Sequence, residues 1–178
     1  TFSELKVIEY FPNRGKGAAV KEGIEVSRGD YKLFMDADMA VPVEFISKFL
    51  KIIVNGYDIV IGSRGMSDSK IQNHQSFSRE FLAKVFGFIQ QFILVLTIKD
   101  TQCGFKLFTK NATDTLFPQV LFDCAYFDAE LLFLAQKMGL SIAEVGVSWS
   151  HDGETRLPIG VKRSIEIIKK LLLIQYYH

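Results

Sequence analysis

Two aspartates one residue apart follow an apolar run in the stretch YKLFMDADMAVP, residues 31–42. At the end of a buried strand, Asp36 and Asp38 would repel each other and lose hydration, at a cost in free energy, unless a cation lies between them. Their oxygens favour Mg²⁺ or Mn²⁺, and Mg²⁺ usually binds few carboxylates while phosphate oxygens and water complete its coordination. The spacing therefore indicates a metal with a phosphate-bearing ligand. It is equally compatible with a cap on a helix that starts near Pro42, or with two solvated side chains.

A second candidate site is the glycine-containing segment NRGKGAAVKEGI. Gly15 and Gly17 precede a predicted helix, where backbone N–H groups can approach an anion, and Lys16 lies between them. The spacing is not that of a P-loop, so the segment does not indicate an ATPase. A tight turn explains the two glycines equally well.

Strands and helices alternate along the chain and must position these residues. The predicted strands are LKVIEYF, YKLFMDA, YDIVIGSR, TQCGFKLFT and LSIAEVGVSWS. The predicted helices are GKGAAVKEGIEVSRG, PVEFISKFLKIIVNG, REFLAKVFGFIQQFILVLTIK, YFDAELLFLAQKMG and IGVKRSIEIIKKLLLIQYY. Continuous apolar runs at 33–35 and 59–61 suit strands that are covered on both faces. We therefore predict a mostly parallel α/β sheet flanked by helices, with residues 31–35 at its centre and the ligand beyond the carboxyl ends of its strands.

Length and composition exclude several classes of protein. The 178 residues fit one domain, and a net charge of +1 gives no overall attraction to nucleic acid. Cys103 and Cys124 lack metal-site spacing and read as reduced core residues, as in a reducing compartment. Residues 85–98 carry no charge, but a run of this length is shorter than the roughly 20 residues of a transmembrane helix.

Five segments together resemble the family 2 glycosyltransferases that load a sugar onto a polyprenyl phosphate, in particular the dolichyl-phosphate β-glucosyltransferases. These segments are NRGKGAAVKEGI, DYKLFMDADMAVP, DIVIGSRG, KDTQCGFKLFTK and YFDAELLFLAQKMG. The resemblance implies the GT-A fold, a nucleotide-sugar donor and inversion at the anomeric carbon. The implied reaction is metal-dependent transfer of glucose from UDP-glucose to dolichyl or another polyprenyl phosphate. The alternatives are mannose transfer from GDP-mannose and a non-catalytic domain that binds lipid phosphate.

The resemblance also implies roles for individual residues. Asp36 and Asp38 would bind the metal, Mg²⁺ or Mn²⁺, and the donor diphosphate, with Gly15 and Lys16 also on the donor side. Asp38 and Asp100 are the catalytic candidates, with Asp100 near the acceptor as a base or, more in keeping with the chemistry, as an orienting group. The candidates for the acceptor phosphate are Arg64, Arg79, Gln102, Lys106, Asp128 and Arg156.

The residue types leave alternatives open at several of these positions. Arg64 and Arg79 could grip a phosphate with two parallel hydrogen bonds each, or pair with a surface carboxylate. Asp100 could form an Asx turn. Asp128 and Glu130 could simply complement the dipole of the helix that they open.

The resemblance runs from about residue 13 to residue 156. Family members begin with segments of the type VVPAYNE and DDGS, which hold the base and ribose, and this chain contains neither. We therefore expect residues 1–178 to form a single GT-A catalytic domain that lacks its N-terminal nucleotide-binding strand, and to be inactive alone.

Two segments could face a membrane. The long helix after Arg79 carries more apolar residues than one core face needs, and the last helix is amphipathic and basic. Both would also suit core packing with a solvated basic face. The membrane reading places the protein on a cytoplasmic surface, that of the endoplasmic reticulum in a eukaryote or the plasma membrane in a prokaryote.

Overall fold

The computed structural model describes residues 5–71, 77–94, 96–124, 126–150 and 161–178. The helices are α1 (Lys16–Val26), α2 (Phe45–Ile53), α3 (Phe77–Leu94), α4 (Lys110–Leu116), α5 (Phe127–Lys137) and α6 (Val161–Tyr177). The strands are β1 (Tyr31–Met35), β2 (Ile59–Ser63), β3 (Lys70–Ile71), β4 (Phe105–Thr109), β5 (Ile142–Gly146) and β6 (Ser148–Trp149). A short 3₁₀ turn, Phe117–Gln119, follows α4.

The main sheet has the strand order β1-β4-β2-β5. Strand β4 is antiparallel to β1 and β2, and β2 is parallel to β5, so three of the four strands share one direction. This confirms a mostly parallel sheet, but the reversed strand was not predicted. Because Met35 at the end of β1 is opposite Phe105 at the start of β4, the residues that precede β4 lie at the carboxyl edge of β1, β2 and β5.

Apolar side chains cover the sheet on both faces. On one face, Phe34 packs between Phe108 and Phe127 with ring centroids 6.0 and 5.7 Å apart, and α4, α5 and buried residues of α1, α3 and α6 complete the cluster. On the other face, α2 packs Phe49 edge-on against Phe105 at 4.9 Å. The predicted three-layer arrangement follows, with a sheet between two layers of helices.

Two sequence predictions about the sheet were wrong. The segment LKVIEYF contains no strand in its described part, residues 5–11, and its side chains at Leu5, Val7 and Phe11 are 77%, 72% and 98% exposed. Its alternating pattern finds no partner strand among the described residues, and strand geometry depends on such pairing. Because LKVIEYF does not form a strand next to it, β1 is not at the centre of the sheet. In the described part of the chain β1 pairs with β4 alone.

Most of the remaining elements follow the sequence pattern, but the predicted strand LSIAEVGVSWS is divided into β5 and β6, which belong to different sheets, and β3 was not predicted. The predicted helices correspond to α1, α2, α3, α5 and α6, while α4 was missed.

Both cysteines are free thiols, and burial raises the pKa of Cys103 to about 11. None of the described helices combines the length and apolar character needed to cross a bilayer.

Candidate active site

The candidate site lies where β1 ends, β2 ends and β4 begins. The amide of Asp36 donates to the carbonyl of Gly104 at 2.9 Å, which ties the end of β1 to the start of β4. The Asp36 carboxylate occupies the place of a side chain at residue 104: a Cβ there would lie 1.9 Å from Asp36 Oδ2. The glycine in QCGF is therefore needed for the close approach of this carboxylate.

The two aspartates lie in a tight turn. The Met39 amide donates to the Asp36 carbonyl at 3.1 Å, and the Ala40 amide donates to Asp38 Oδ1 at 3.1 Å. Met39 has a φ of 50°, an uncommon conformation for a residue with a side chain, and such strain clusters at functional sites. The α2 N-cap is Glu44 and has no side-chain hydrogen bond, so neither Asp36 nor Asp38 caps that helix.

Four charged side chains form a connected row, which we call the charge chain: Asp36, Lys16, Asp128 and Lys106. Lys16 Nζ lies 2.9 Å from Asp36 Oδ1 and 3.4 Å from Asp128 Oδ2. Lys106 Nζ lies 2.5 Å from Asp128 Oδ1 and donates to the Cys103 carbonyl at 2.6 Å. Burial lowers the pKa of Lys16, but the negative charges of Asp128 and Asp36 outweigh burial and leave it raised, so Lys16 stays charged.

A second ionic contact lies beside the charge chain. Arg64 donates two parallel hydrogen bonds to Asp100, from Nε to Oδ2 at 2.7 Å and from Nη2 to Oδ1 at 2.9 Å. Its guanidinium carbon lies over the Trp149 ring, 5.3 Å from the ring centroid. Asp100 Oδ1 also accepts from the Gln102 amide at 3.1 Å. Burial raises the pKa of Asp100, but the hydrogen bonds and charge of Arg64 outweigh that effect and leave it lowered. Asp100 is therefore held as a carboxylate that orients Arg64 and the turn.

Gly15 and Gly17, at the start of α1, make room for another part of the chain. Gly15 has a φ of 101°, and a Cβ on Gly15 or Gly17 would lie 2.8 Å from the Asp123 carbonyl oxygen. That carbonyl accepts a hydrogen bond from the Ala18 amide at 3.3 Å. Close packing against the Asp123 backbone thus accounts for both glycines, which neither the anion-site nor the tight-turn alternative predicted, and part of the α1 N-terminus is already bonded.

The structure brings most of the predicted site residues to one edge of the sheet but at different depths. Asp38 is exposed at the rim, and Asp36, Lys16 and Arg64 are partly exposed behind it. Lys106 and Asp128 lie beneath the edge, with exposures of 0% and 1%. Because both are buried and bonded to each other, direct contact with an acceptor phosphate does not occur in this arrangement, and they support Lys16 instead. Arg79 lies in α3, and Arg156 lies outside the described residues.

Sequence reasoning missed two contributors to this site and the role of a third. Trp149 lies under Arg64, and its being the sole tryptophan was an available signal. Met39 adopts its positive φ without any local pattern that would predict it. Glu130 is fully buried and accepts from the amides of Leu121 and Phe122 at 2.7 and 2.9 Å, so it fixes the segment that leads to Asp123 and α1.

The carboxylate oxygens of this site could hold a divalent ion only if a bound ligand supplied further oxygens. Within the described residues, no group of three or more His, Cys, Asp or Glu side chains could hold a metal by itself. Asp36, Asp100 and Asp128 each have a basic partner, whereas Asp38 has none in the part of the chain that the structure describes. Two carboxylates with an unbalanced charge at Asp38 suit a Mg²⁺ or Mn²⁺ site that is completed by phosphate oxygens and water.

The contact at Gly17 gives a direct test of the site's framework. We expect Gly17→Ala to lower the free energy of unfolding by about 1–3 kcal/mol, because its Cβ would overlap Asp123 and Phe127 at 2.8 Å. Gly23→Ala is the matched control in the same helix, since nothing lies within 4 Å of its Cβ, and should be neutral or stabilising. Urea unfolding followed by circular dichroism measures both, and equal stability of the two variants would contradict the contact.

Sequence comparison relates the chain to named proteins. Residues 3–117 match the family described as Glycosyl transferase family 2. The chain is 40% identical over 180 residues to a Dictyostelium discoideum protein named dolichyl-phosphate beta-glucosyltransferase, covering 98% of this chain and 54% of that protein. It is 36% identical over 162 residues to the human protein of that name, covering 87% of this chain and 50% of the human one. The chain thus spans about half the length of the curated relatives it matches.

Structural comparison extends this result to the fold. A crystal structure of glucosyl-3-phosphoglycerate synthase from Mycobacterium tuberculosis, in complex with Mn²⁺, UDP-glucose and phosphoglyceric acid, has a TM-score of 0.58 and 17% identity to this chain. The alignment covers 97% of this chain and 57% of that one. At such low identity the likeness shows the fold alone, and it confirms the predicted GT-A fold. With residues 3–117 matched and the site at the expected sheet edge, the chain belongs to glycosyltransferase family 2.

Proposed function

We propose that the chain is a single GT-A catalytic domain of an inverting enzyme that transfers glucose from UDP-glucose to dolichyl or another polyprenyl phosphate. The observation that carries the proposal is that Asp36, Asp38 and Arg64 lie at one edge of the sheet. Two carboxylates and a guanidinium are thus available to the same ligand. The names of the relatives supply the sugar and the acceptor class.

On the donor side, Asp36 and Asp38 would hold Mg²⁺ or Mn²⁺ against the diphosphate. When bound, the metal would neutralise negative charge that develops on the departing nucleotide. Lys16, which lies 2.9 Å from Asp36, adds a further positive charge next to this position. The Mn²⁺ and UDP-glucose in the mycobacterial crystal structure support the same pairing of ligands.

On the acceptor side, the reaction needs orientation more than proton removal. A phosphate monoester has a second pKa near 6, so its attacking oxygen is already largely anionic at neutral pH. Asp100 fixes the guanidinium plane of Arg64, which has further N–H donors beyond those bound to Asp100. Arg64 would therefore align the phosphate for in-line attack on the anomeric carbon, with Arg79, Gln102 and Arg156 as further proposed contacts.

A membrane surface is the proposed location, because the acceptor is a lipid. On α3, Phe88 and Phe92 are 69% and 78% exposed, and on α6 the apolar residue Leu172 and the aromatic Tyr176 are also exposed. Amphipathic helices with aromatic side chains suit the bilayer interface. We propose the cytoplasmic face, that of the endoplasmic reticulum in a eukaryote or the plasma membrane in a prokaryote, and no nucleic-acid partner.

A radiolabel assay tests the function. We expect the full-length product of the gene to transfer glucose from UDP-glucose to dolichyl phosphate at least roughly tenfold faster than it transfers mannose from GDP-mannose. The labelled lipid is extracted into organic solvent and counted, with heat-inactivated protein as the control. Faster mannose transfer would favour the GDP-mannose alternative, and no transfer from either donor would favour a non-catalytic domain that binds lipid phosphate.

A further inference from the structure

Lys16 is held between two carboxylates that differ in accessibility. Its ammonium lies 2.9 Å from Asp36, whose side chain is 41% exposed, and 3.4 Å from Asp128, whose side chain is 1% exposed. Lys16 itself keeps 34% of its side-chain surface exposed, above the rings of Phe34 and Phe127. One anchor of this lysine is therefore fixed in the interior, while the other lies at the open edge of the site.

Asp128, the interior anchor of Lys16, is held too firmly to move when a ligand binds. Asp128 is also bound to Lys106 at 2.5 Å, and Lys106 is fully buried and tied to the Cys103 carbonyl. The Asp36 backbone is fixed to Gly104 as well, and the Gly104 backbone packs against its carboxylate. Of the four members of the charge chain, Lys16 is the long, flexible and partly solvated one. When a ligand binds at the edge of the site, Lys16 is therefore the side chain that can move.

A divalent cation and the Lys16 ammonium compete for the same carboxylate. A cation that binds Asp36 next to Lys16 would experience like-charge repulsion at short distance, in a site that is only partly screened by water. A nucleotide diphosphate brings negative charge that attracts both. We propose that Lys16 is a resident counter-ion of Asp36: it neutralises this carboxylate in the donor-free state, and it moves to the diphosphate when the metal and nucleotide bind. The inference rests on the proposed donor site and adds an order of events to it.

The test is the Mn²⁺ affinity of Lys16→Met and wild type, measured from the electron paramagnetic resonance signal of free Mn²⁺ during titration of the full-length protein. Without nucleotide, we expect Lys16→Met to bind Mn²⁺ about tenfold more tightly, because the competing charge is gone. With saturating Mn²⁺, we expect it to bind UDP about tenfold more weakly, because the diphosphate loses its lysine. Opposite changes in the two affinities are not expected from a lysine that only supports the fold.

Two controls isolate the charge and its place. Lys16→Arg keeps the charge and should bind Mn²⁺ as wild type does, and Lys110→Met removes an exposed lysine at the opposite sheet edge and should change neither affinity. Thermal unfolding of each variant checks that it is folded. Unchanged Mn²⁺ binding in folded Lys16→Met overturns the counter-ion role.

Asp36→Asn separates this inference from the proposed function. If Asp36→Asn binds Mn²⁺ and UDP as wild type does, the proposed donor site fails and the counter-ion role falls with it. If Asp36→Asn weakens binding while Lys16→Met leaves Mn²⁺ affinity unchanged, only the counter-ion role fails.

Discussion

Replacing Asp38 with Asn is expected to lower the rate of sugar transfer by about a thousandfold or more while the fold stays intact. Asp38 is exposed at the rim, and in the described part of the chain it has no basic partner, so its negative charge is available to a metal–diphosphate ligand. Asparagine keeps an oxygen that can accept from the Ala40 amide, which preserves the turn. The kcat of the full-length protein for transfer from UDP-glucose to dolichyl phosphate measures the effect.

The same assay contains its own checks. Asp30→Asn removes an exposed carboxylate at the opposite edge of the sheet, before β1, and should transfer at the wild-type rate. EDTA should abolish transfer by wild type, and added Mn²⁺ should restore it. Normal turnover of Asp38→Asn, together with activity that persists in EDTA, would rule out the metal role of this aspartate.

Local patterns were sufficient to predict the rim of the site. Asp36 and Arg64 each follow an apolar run, and such runs predict buried strands whose carboxyl ends meet at one edge. The structure places both residues at that edge. What the pattern could not give is strand direction: β4 is antiparallel, which brings Asp100 and Gly104 to the edge, and no composition rule distinguishes the two orientations of a short apolar strand.

Long-range contacts account for the other discrepancies. Gly15 and Gly17 leave room for the carbonyl of Asp123, a residue far along the chain. The neighbouring residues in the sequence indicated only an anion site or a turn. The segment LKVIEYF has a strand pattern but no strand partner among the described residues. Lys106 lies in an apolar strand, and nothing within that strand identifies Asp128 as the carboxylate that pairs with it across the core.

The buried pair that these contacts create leads to the second large expected effect. Asp128→Asn should lower the free energy of unfolding by about 3–5 kcal/mol, because Lys106 is fully buried and would keep an ammonium without its carboxylate. Lys16 would also lose its interior anchor at 3.4 Å. The measurement is chemical unfolding followed by circular dichroism, with Glu22→Gln as the control: that change breaks an exposed pair with Arg14 and should leave the unfolding midpoint nearly unchanged.

A double variant distinguishes an unpaired charge from lost packing. Lys106→Met combined with Asp128→Leu removes both buried charges, and apolar replacement of a buried ion pair is often neutral or stabilising. We therefore expect the double variant to recover most of the stability that Asp128→Asn loses. It should not recover the position of Lys16, because neither new side chain can bind an ammonium. We therefore expect the stable double variant to bind UDP more weakly than wild type does. A double variant as unstable as Asp128→Asn would mean that shape, and not charge, is what this pair contributes to the core.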